Sequence, residues 1–279
     1  MKKILKKIYR RIFRNKLSMN GIVYKKHCMN LEYWKDHTNI GDLLSKTVFD
    51  YMIERNNIDI NKPVKSFTHF LGIGSIIGLS EFDAIIWGSG VNTIAFANKI
   101  YSTRQYVKYD IRAVRGPITQ QILLNSGYNC PNVYGDPAIL MPLIYKPNCE
   151  KKYKVTAIIH YSEKNIKKVE DINYLDVATS DYKKFIDVIV SSEKIISSSL
   201  HGIILAEAYG VPAVYIGTKK EEFLKYYDYY WSTERYSVKV ANSIEEAMSM
   251  IPMNLPSEET YKKIRENLIN SFPTDEWVK

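Results

Sequence analysis

The stretch Ile195-Ile-Ser-Ser-Ser-Leu-His201-Gly-Ile-Ile-Leu-Ala-Glu-Ala-Tyr-Gly210-Val-Pro212 holds the plan of the fold in miniature. An apolar run climbs to three serines, helical periodicity starts at or just after His201, Gly210 closes it, and Val211-Pro212 opens the next apolar run. Strand, helix and strand follow one another with the turn chemistry a parallel crossover needs. An imidazole and small hydroxyls therefore stand at the carboxyl end of a strand, beside the unpaired N–H groups and positive dipole end of a helix. Such an address suits an anion, a phosphate above all. A structural reading is also open, in which Ser199 caps the helix and His201 fills its first turn.

The alternation extends in both directions. Upstream, apolar runs at 154–161 and 174–178 predict strands and 180–191 a helix; downstream, 212–216 predicts another strand. Earlier still, Leu44, Val48 and Met52 repeat at helical spacing within 42–55, and the runs 68–73, 83–88 and 111–114 end in glycine or polar turns, as buried parallel strands do. Residues 117–126 open with Pro117 and stop at Gly127, the signature of a helix, and 131–136 suggest one more strand. Lys, Pro, Asn and Glu gather at 146–153 as a linker. The expected class is α/β, with mostly parallel sheets divided into a unit at 27–148 and a second at 149–279 that carries a C-terminal helix. A ligand cleft is expected between them.

At 279 residues, with 46% hydrophobic and 25% charged residues, the chain excludes collagen, long disorder and a disulfide-stapled miniprotein. The net charge of +9 belongs to one end. Residues 1–26 hold ten Lys and Arg and no acid, which leaves 29 basic against 30 acidic side chains in the rest. A nucleic-acid role for the whole fold thereby loses its main support. Within 2–17, Ile4, Ile8 and Ile12 recur at fourfold spacing among Lys and Arg, predicting a basic amphipathic N-terminal helix. It can lie on an anionic membrane surface or dock on the fold with its basic face solvated. Cys28, Cys130 and Cys149 show no disulfide or zinc spacing, and neither a signal peptide nor a membrane span is read, so a cytoplasmic location is expected, peripheral on the inner face of the membrane if the tail binds lipid.

Further short motifs sit at strand ends. Asn39-Ile-Gly41-Asp42 supplies a cap, a close-approach glycine and an acid at a helix start. Trp87-Gly88-Ser89-Gly90 is a tight turn after a buried strand. Arg115, in Val114-Arg-Gly-Pro117, stands between strand and helix, where it can fork onto a carboxylate or phosphate or form an ordinary ion pair. Asp136, in Gly135-Asp-Pro-Ala138, reads as a structural cap. Lys219 and Lys220 follow the strand after Pro212, at the sheet end that holds His201, and His160 lies at another strand end. The glycines of Leu71-Gly-Ile-Gly-Ser-Ile-Ile-Gly78 are spaced one residue too far for a dinucleotide fingerprint.

Taken together, Asn39-Ile-Gly-Asp42, Gly88-Ser-Gly90, Val114-Arg-Gly-Pro117, Gly135-Asp-Pro-Ala138 and Ser198-Ser-Leu-His-Gly202 with Gly210-Val-Pro212, closed by Lys225-Tyr-Tyr-Asp-Tyr-Tyr230, resemble the polysaccharide pyruvyl transferase family over about residues 36–235. The resemblance implies two Rossmann-like domains similar to GT-B glycosyltransferases, phosphoenolpyruvate as donor, a sugar of a cell-surface polymer or its lipid-linked precursor as acceptor, and a pyruvate ketal as product. No metal or further cofactor is expected. Some members carry Arg where this chain has Ser199, which shifts donor anchoring toward Arg115, Lys219 and Lys220. The expected donor site also includes Ser199, Asn39, Gly41, Ser89 and Gly90. His201 is expected to transfer the proton or stabilise the departing phosphate, since an imidazole titrates near neutral pH, and Asp42 to take the acceptor hydroxyl's proton. A nucleotide-sugar glycosyltransferase on the same architecture is the alternative, and a non-enzymatic membrane adaptor the third reading.

Overall fold

The computed structural model describes residues 27–34, 38–79, 82–163, 166, 168–218 and 223–277. The basic segment 1–26, with its expected helix at 2–17, lies outside the described residues, as do Lys219 and Lys220.

Two parallel sheets organise the chain. The first has the order β1-β2-β3-β4, made of β1 (Asn30–Glu32), β2 (His69–Leu71), β3 (Ala84–Trp87) and β4 (Tyr109–Ala113). Helix α1 (Ile40–Arg55) connects β1 to β2, and α2 (Ile94–Thr103) connects β3 to β4. After β4 come α3 (Pro117–Asn125) and a 3-10 turn at Pro137–Leu140 that runs into α4 (Met141–Ile144). The second sheet has the order β6-β5-β7-β8-β9, from β5 (Tyr153–Ile158), β6 (Asn173–Tyr174), β7 (Ser192–Ser197), β8 (Ala213–Ile216) and β9 (Val240–Ala241). Its crossovers are α5 (Tyr182–Val190), α6 (Leu200–Ala208) and α7 (Leu224–Ser232), and α8 (Ile244–Ser249) and α9 (Glu258–Asn270) follow. All its ladders are parallel, so the α/β class with mostly parallel sheets holds.

Buried parallel strands read as apolar runs, and β3 (Ala-Ile-Ile-Trp) and β8 (Ala-Val-Tyr-Ile) are buried at every position. Residues 131–136 form no strand; Pro131 cannot donate to a ladder, and only Tyr134 bridges, to Val114. Helix α3 begins at Pro117 as expected, yet Gly116 offers its first turn no side-chain cap.

The C-terminal helix, expected with the second unit, packs against the first sheet. Trp87 donates its indole N–H to the Leu268 carbonyl at 2.9 Å. The Phe272 ring stands edge-on to Trp87 at 5.2 Å and tilted against Phe70 at 5.8 Å. Beyond it, Trp277 bridges antiparallel to Val64, and Arg112 forks onto Asp275 with both bonds at 3.0 Å. One continuous apolar core runs through both halves, joining Phe70, Ile85 and Trp87 to Ile158, Ile195 and Tyr215. The boundary at 148–149 thus separates two sheets that share a core, and the irregular stretch 145–152 spans the join.

Candidate active site

In the second sheet the chain leaves β5 for β6 on one side, then returns to place β7, β8 and β9 on the other. Crossovers that leave in opposite directions open a crevice at the carboxyl ends of β5 and β7. His160 follows β5 and the serine run follows β7. Two of the serines tie these ends together. The Ser197 hydroxyl donates to the Ile158 carbonyl at 2.8 Å, and the Ser198 hydroxyl accepts the His160 N–H at 2.9 Å. Ser199 precedes α6 and makes no side-chain capping bond, so the capping role its sequence position suggests is not used. It lines the crevice together with His160 and His201.

The opposite wall comes from the carboxyl ends of the first sheet: Trp34 after β1, Gly74 and Ser75 after β2, and Asn92 after β3. Gly74 has φ +115°, a conformation that a side chain makes costly. The cleft between the walls encloses about 240 Å³. Asn39 and Asp42 reach it from the start of α1, where the Asn39 carbonyl oxygen Oδ1 accepts the Gly41 N–H at 3.0 Å and caps the helix. Gly41 is the slot for the histidine: a Cβ there would lie 2.0 Å from His201 Nδ1. The N-termini of α1 and α6 therefore converge on one space, and their aligned dipoles make it favourable to an anion. Lys225, on α7, adds a cation to the lining, and Asp42 is the acid there.

Arg115 stands elsewhere. Its side chain is 0% exposed and does not line the cleft. The guanidinium donates from Nε to Asp228 at 3.1 Å, from Nη2 to the Val91 carbonyl at 2.9 Å, and from Nη1 to the Ser75 hydroxyl. The sequence reading that it forks onto an anion at a helix start describes the chemistry well, but the anion is the protein's own Asp228. That carboxylate also accepts the Ile118 and Thr119 N–H groups at 2.9 and 3.0 Å and the Thr119 hydroxyl at 2.7 Å, supplying the cap α3 lacks. In this structure Arg115 braces Ser75 from behind the cleft wall. Ser89 and Gly90 lie behind the same loop. The buried Ser89 hydroxyl and the Gly90 N–H both donate to the Gly74 carbonyl, at 2.8 and 3.0 Å, and Gly90 makes room for the Arg115 guanidinium. Both hold the Gly74–Ser75 loop and neither lines the cleft.

Sequence reasoning missed three contributors. Lys225 lies in the quoted closing segment, but nothing in the pattern says which of its faces meets the cleft. Ser75 belongs to the glycine-rich stretch set aside as a poor dinucleotide match. Asp136 caps the Pro137 turn through Oδ1, which accepts the Ala138 N–H at 3.0 Å, while its Oδ2 faces His201 Nε2 at 3.6 Å. Cys130 supplies no thiolate; burial, then the nearby Asp228 charge, pushes its thiol up to about 12. Among the described residues no group of three or more His, Cys, Asp or Glu side chains is placed to hold a metal ion, and no helix is long and apolar enough to cross a membrane.

Fold and cleft define an α/β protein whose two parallel sheets present their carboxyl ends to one cleft. The sequence model of the family described as polysaccharide pyruvyl transferase matches residues 35–220, and the chain belongs to that family. It is 28% identical over 216 residues to the uncharacterized protein L143 of Acanthamoeba polyphaga mimivirus, covering 71% of this chain and 72% of that one. It is 26% identical over 198 residues to the succinoglycan biosynthesis protein ExoV of Rhizobium meliloti, covering 67% of this chain and 58% of that one. Among solved structures, a functionally uncharacterized protein of Klebsiella pneumoniae is similar with a TM-score of 0.49 and 15% identity, over 86% of this chain and 98% of that one.

Proposed function

We propose that the protein moves the pyruvyl group of phosphoenolpyruvate onto a sugar of a cell-surface polysaccharide or its lipid-linked precursor, forming a pyruvate ketal and releasing phosphate. The observation that carries this reading is the meeting of two helix N-termini with His201, His160 and Lys225 in one cleft, with a carboxylate, Asp42, among them. Phosphoenolpyruvate carries its phosphate ester and its carboxylate on the same carbon, and two dipole ends plus an ammonium match that pair of charges.

The chemistry divides among the residues as follows. The helix starts at Asn39–Asp42 and Ser199–His201, with Lys225, hold the donor anions, and the Ser199 hydroxyl, released from capping, donates to one of them. Imidazolium at His201 delivers its proton to the donor methylene, which becomes the methyl group, while a sugar hydroxyl attacks the adjacent carbon and loses its proton to Asp42. A second hydroxyl closes the ring as the carbon–oxygen bond to phosphate breaks, and its proton leaves with the phosphate. Lys219 and Lys220, outside the described residues, stay as further donor ligands in this reading. The family model and the partial likeness to a succinoglycan biosynthesis protein support the polymer-sugar acceptor. The basic N-terminal segment supports peripheral attachment to an anionic membrane, where lipid-linked sugars reside.

The deciding experiment is a thermal-shift screen followed by turnover. Phosphoenolpyruvate is expected to raise the melting temperature, and phosphate release is expected with lipid-linked oligosaccharide acceptors. A shift with UDP- or GDP-sugars and none with phosphoenolpyruvate would replace this reading with the glycosyltransferase one.

A further inference from the structure

His201 Nε2 and Asp136 Oδ2 are both sealed from solvent, and neither has a hydrogen-bond partner. They face each other at 3.6 Å across the join between the two halves, with the carboxylate 0% exposed. A buried carboxylate oxygen left unpaired is costly, and such pairs persist where a second state of the site satisfies them. The rest of Asp136 is fixed, because Oδ1 holds the Ala138 N–H. The imidazole is fixed on its other side by Gly41, against which Nδ1 lies.

We propose that Asp136 is the positioning residue for His201: it accepts Nε2–H and holds the neutral imidazole in the tautomer whose Nδ1 lone pair is left to take up and hand on the proton. A movement of a few tenths of an ångström brings the pair to hydrogen-bond length. Asp136 touches no substrate; it acts through His201. The inference deepens the proposed function, but its test needs neither donor nor acceptor.

The test is two-bond nitrogen–proton NMR on the full-length protein with labelled histidines, with the His201 signal assigned by its loss in His201→Ala. The wild type is expected to show the Nε2–H tautomer in its neutral form. Asp136→Asn keeps an oxygen for the Ala138 N–H and turns its amide toward Nε2. It is expected to switch His201 to the Nδ1–H tautomer. A wild-type Nδ1–H tautomer overturns the proposal even if the variant fails to fold, and so does an unchanged tautomer in a folded variant. Absence of turnover with phosphoenolpyruvate, alongside the expected NMR result, would remove the assigned reaction and leave the His201–Asp136 pairing standing.

Discussion

His201 reaches its place because a strand, a serine run and a helix start are contiguous in the chain, and that local grammar was readable. Replacing it with alanine is expected to cut phosphate release by about 100-fold or more, the usual worth of a positioned acid or base, with the melting temperature within a few degrees of wild type. The same imidazole depends on a missing side chain 160 positions earlier. Gly41→Ala puts a methyl 2.0 Å from Nδ1, so the ring must swing away. We expect its kcat to fall about 100-fold, with stability reduced by about 1–3 kcal/mol because the methyl also meets His201 Cγ and Cβ, at 2.5 and 2.9 Å. A Gly41→Ala enzyme with wild-type kcat would remove His201 Nδ1 from the reaction. Sequence identified Gly41 as a close-approach position, but it named a ligand rather than a histidine as what approaches.

Between elements, the link from α7 to α3 shows what local reading misses. Pro117 announces the helix correctly, but its cap is Asp228, and no pattern near 117 points there. Asp228 also neutralises Arg115, so a charged pair and two helix N–H groups share one buried carboxylate. Asp228→Ala strands a buried guanidinium and is expected to cost about 3–5 kcal/mol in urea unfolding, because removing one partner leaves the other's desolvation uncompensated. Asp228→Asn, which keeps acceptors for the amides, is expected to cost less. If both variants unfold at the wild-type midpoint, the pair does not hold α7 against α3. Through Arg115 and Ser75 this link also sets the loop opposite His201, so Asp228→Asn is expected to raise KM for the donor more than it lowers kcat.

For the whole molecule, the C-terminal helix returns to the first sheet and closes the core around Phe272 and Trp87. Leu268, buried there at 0% exposure, is expected to cost about 2–5 kcal/mol when cut to alanine. With one core through both halves, calorimetry is expected to show a single unfolding transition in the wild type; two separated transitions would mean the halves fold independently. The strap beyond that helix is weaker. Its hydrogen bond to Arg112 holds the Asp275 carboxyl below the usual carboxylate range. Stability from this link is therefore present above the unfolded pKa and is lost as pH falls through the lowered folded value. Because Asp275 is largely exposed, Asp275→Asn is expected to remove less than about 1 kcal/mol near neutral pH and to flatten the acid limb of the urea midpoint.

By itself the sequence determined the α/β class, the parallel runs, most helix starts, the near-neutral body and the strand-end address of His201, because periodicity, caps and turn residues act over a few positions. Tertiary structure alone decided that Arg115 meets Asp228, that Asp136 faces His201 and that the last helix reaches back to the first sheet. Those outcomes depend on which buried charges and apolar faces find each other across 65 to 181 residues, and no local spacing encodes the partner.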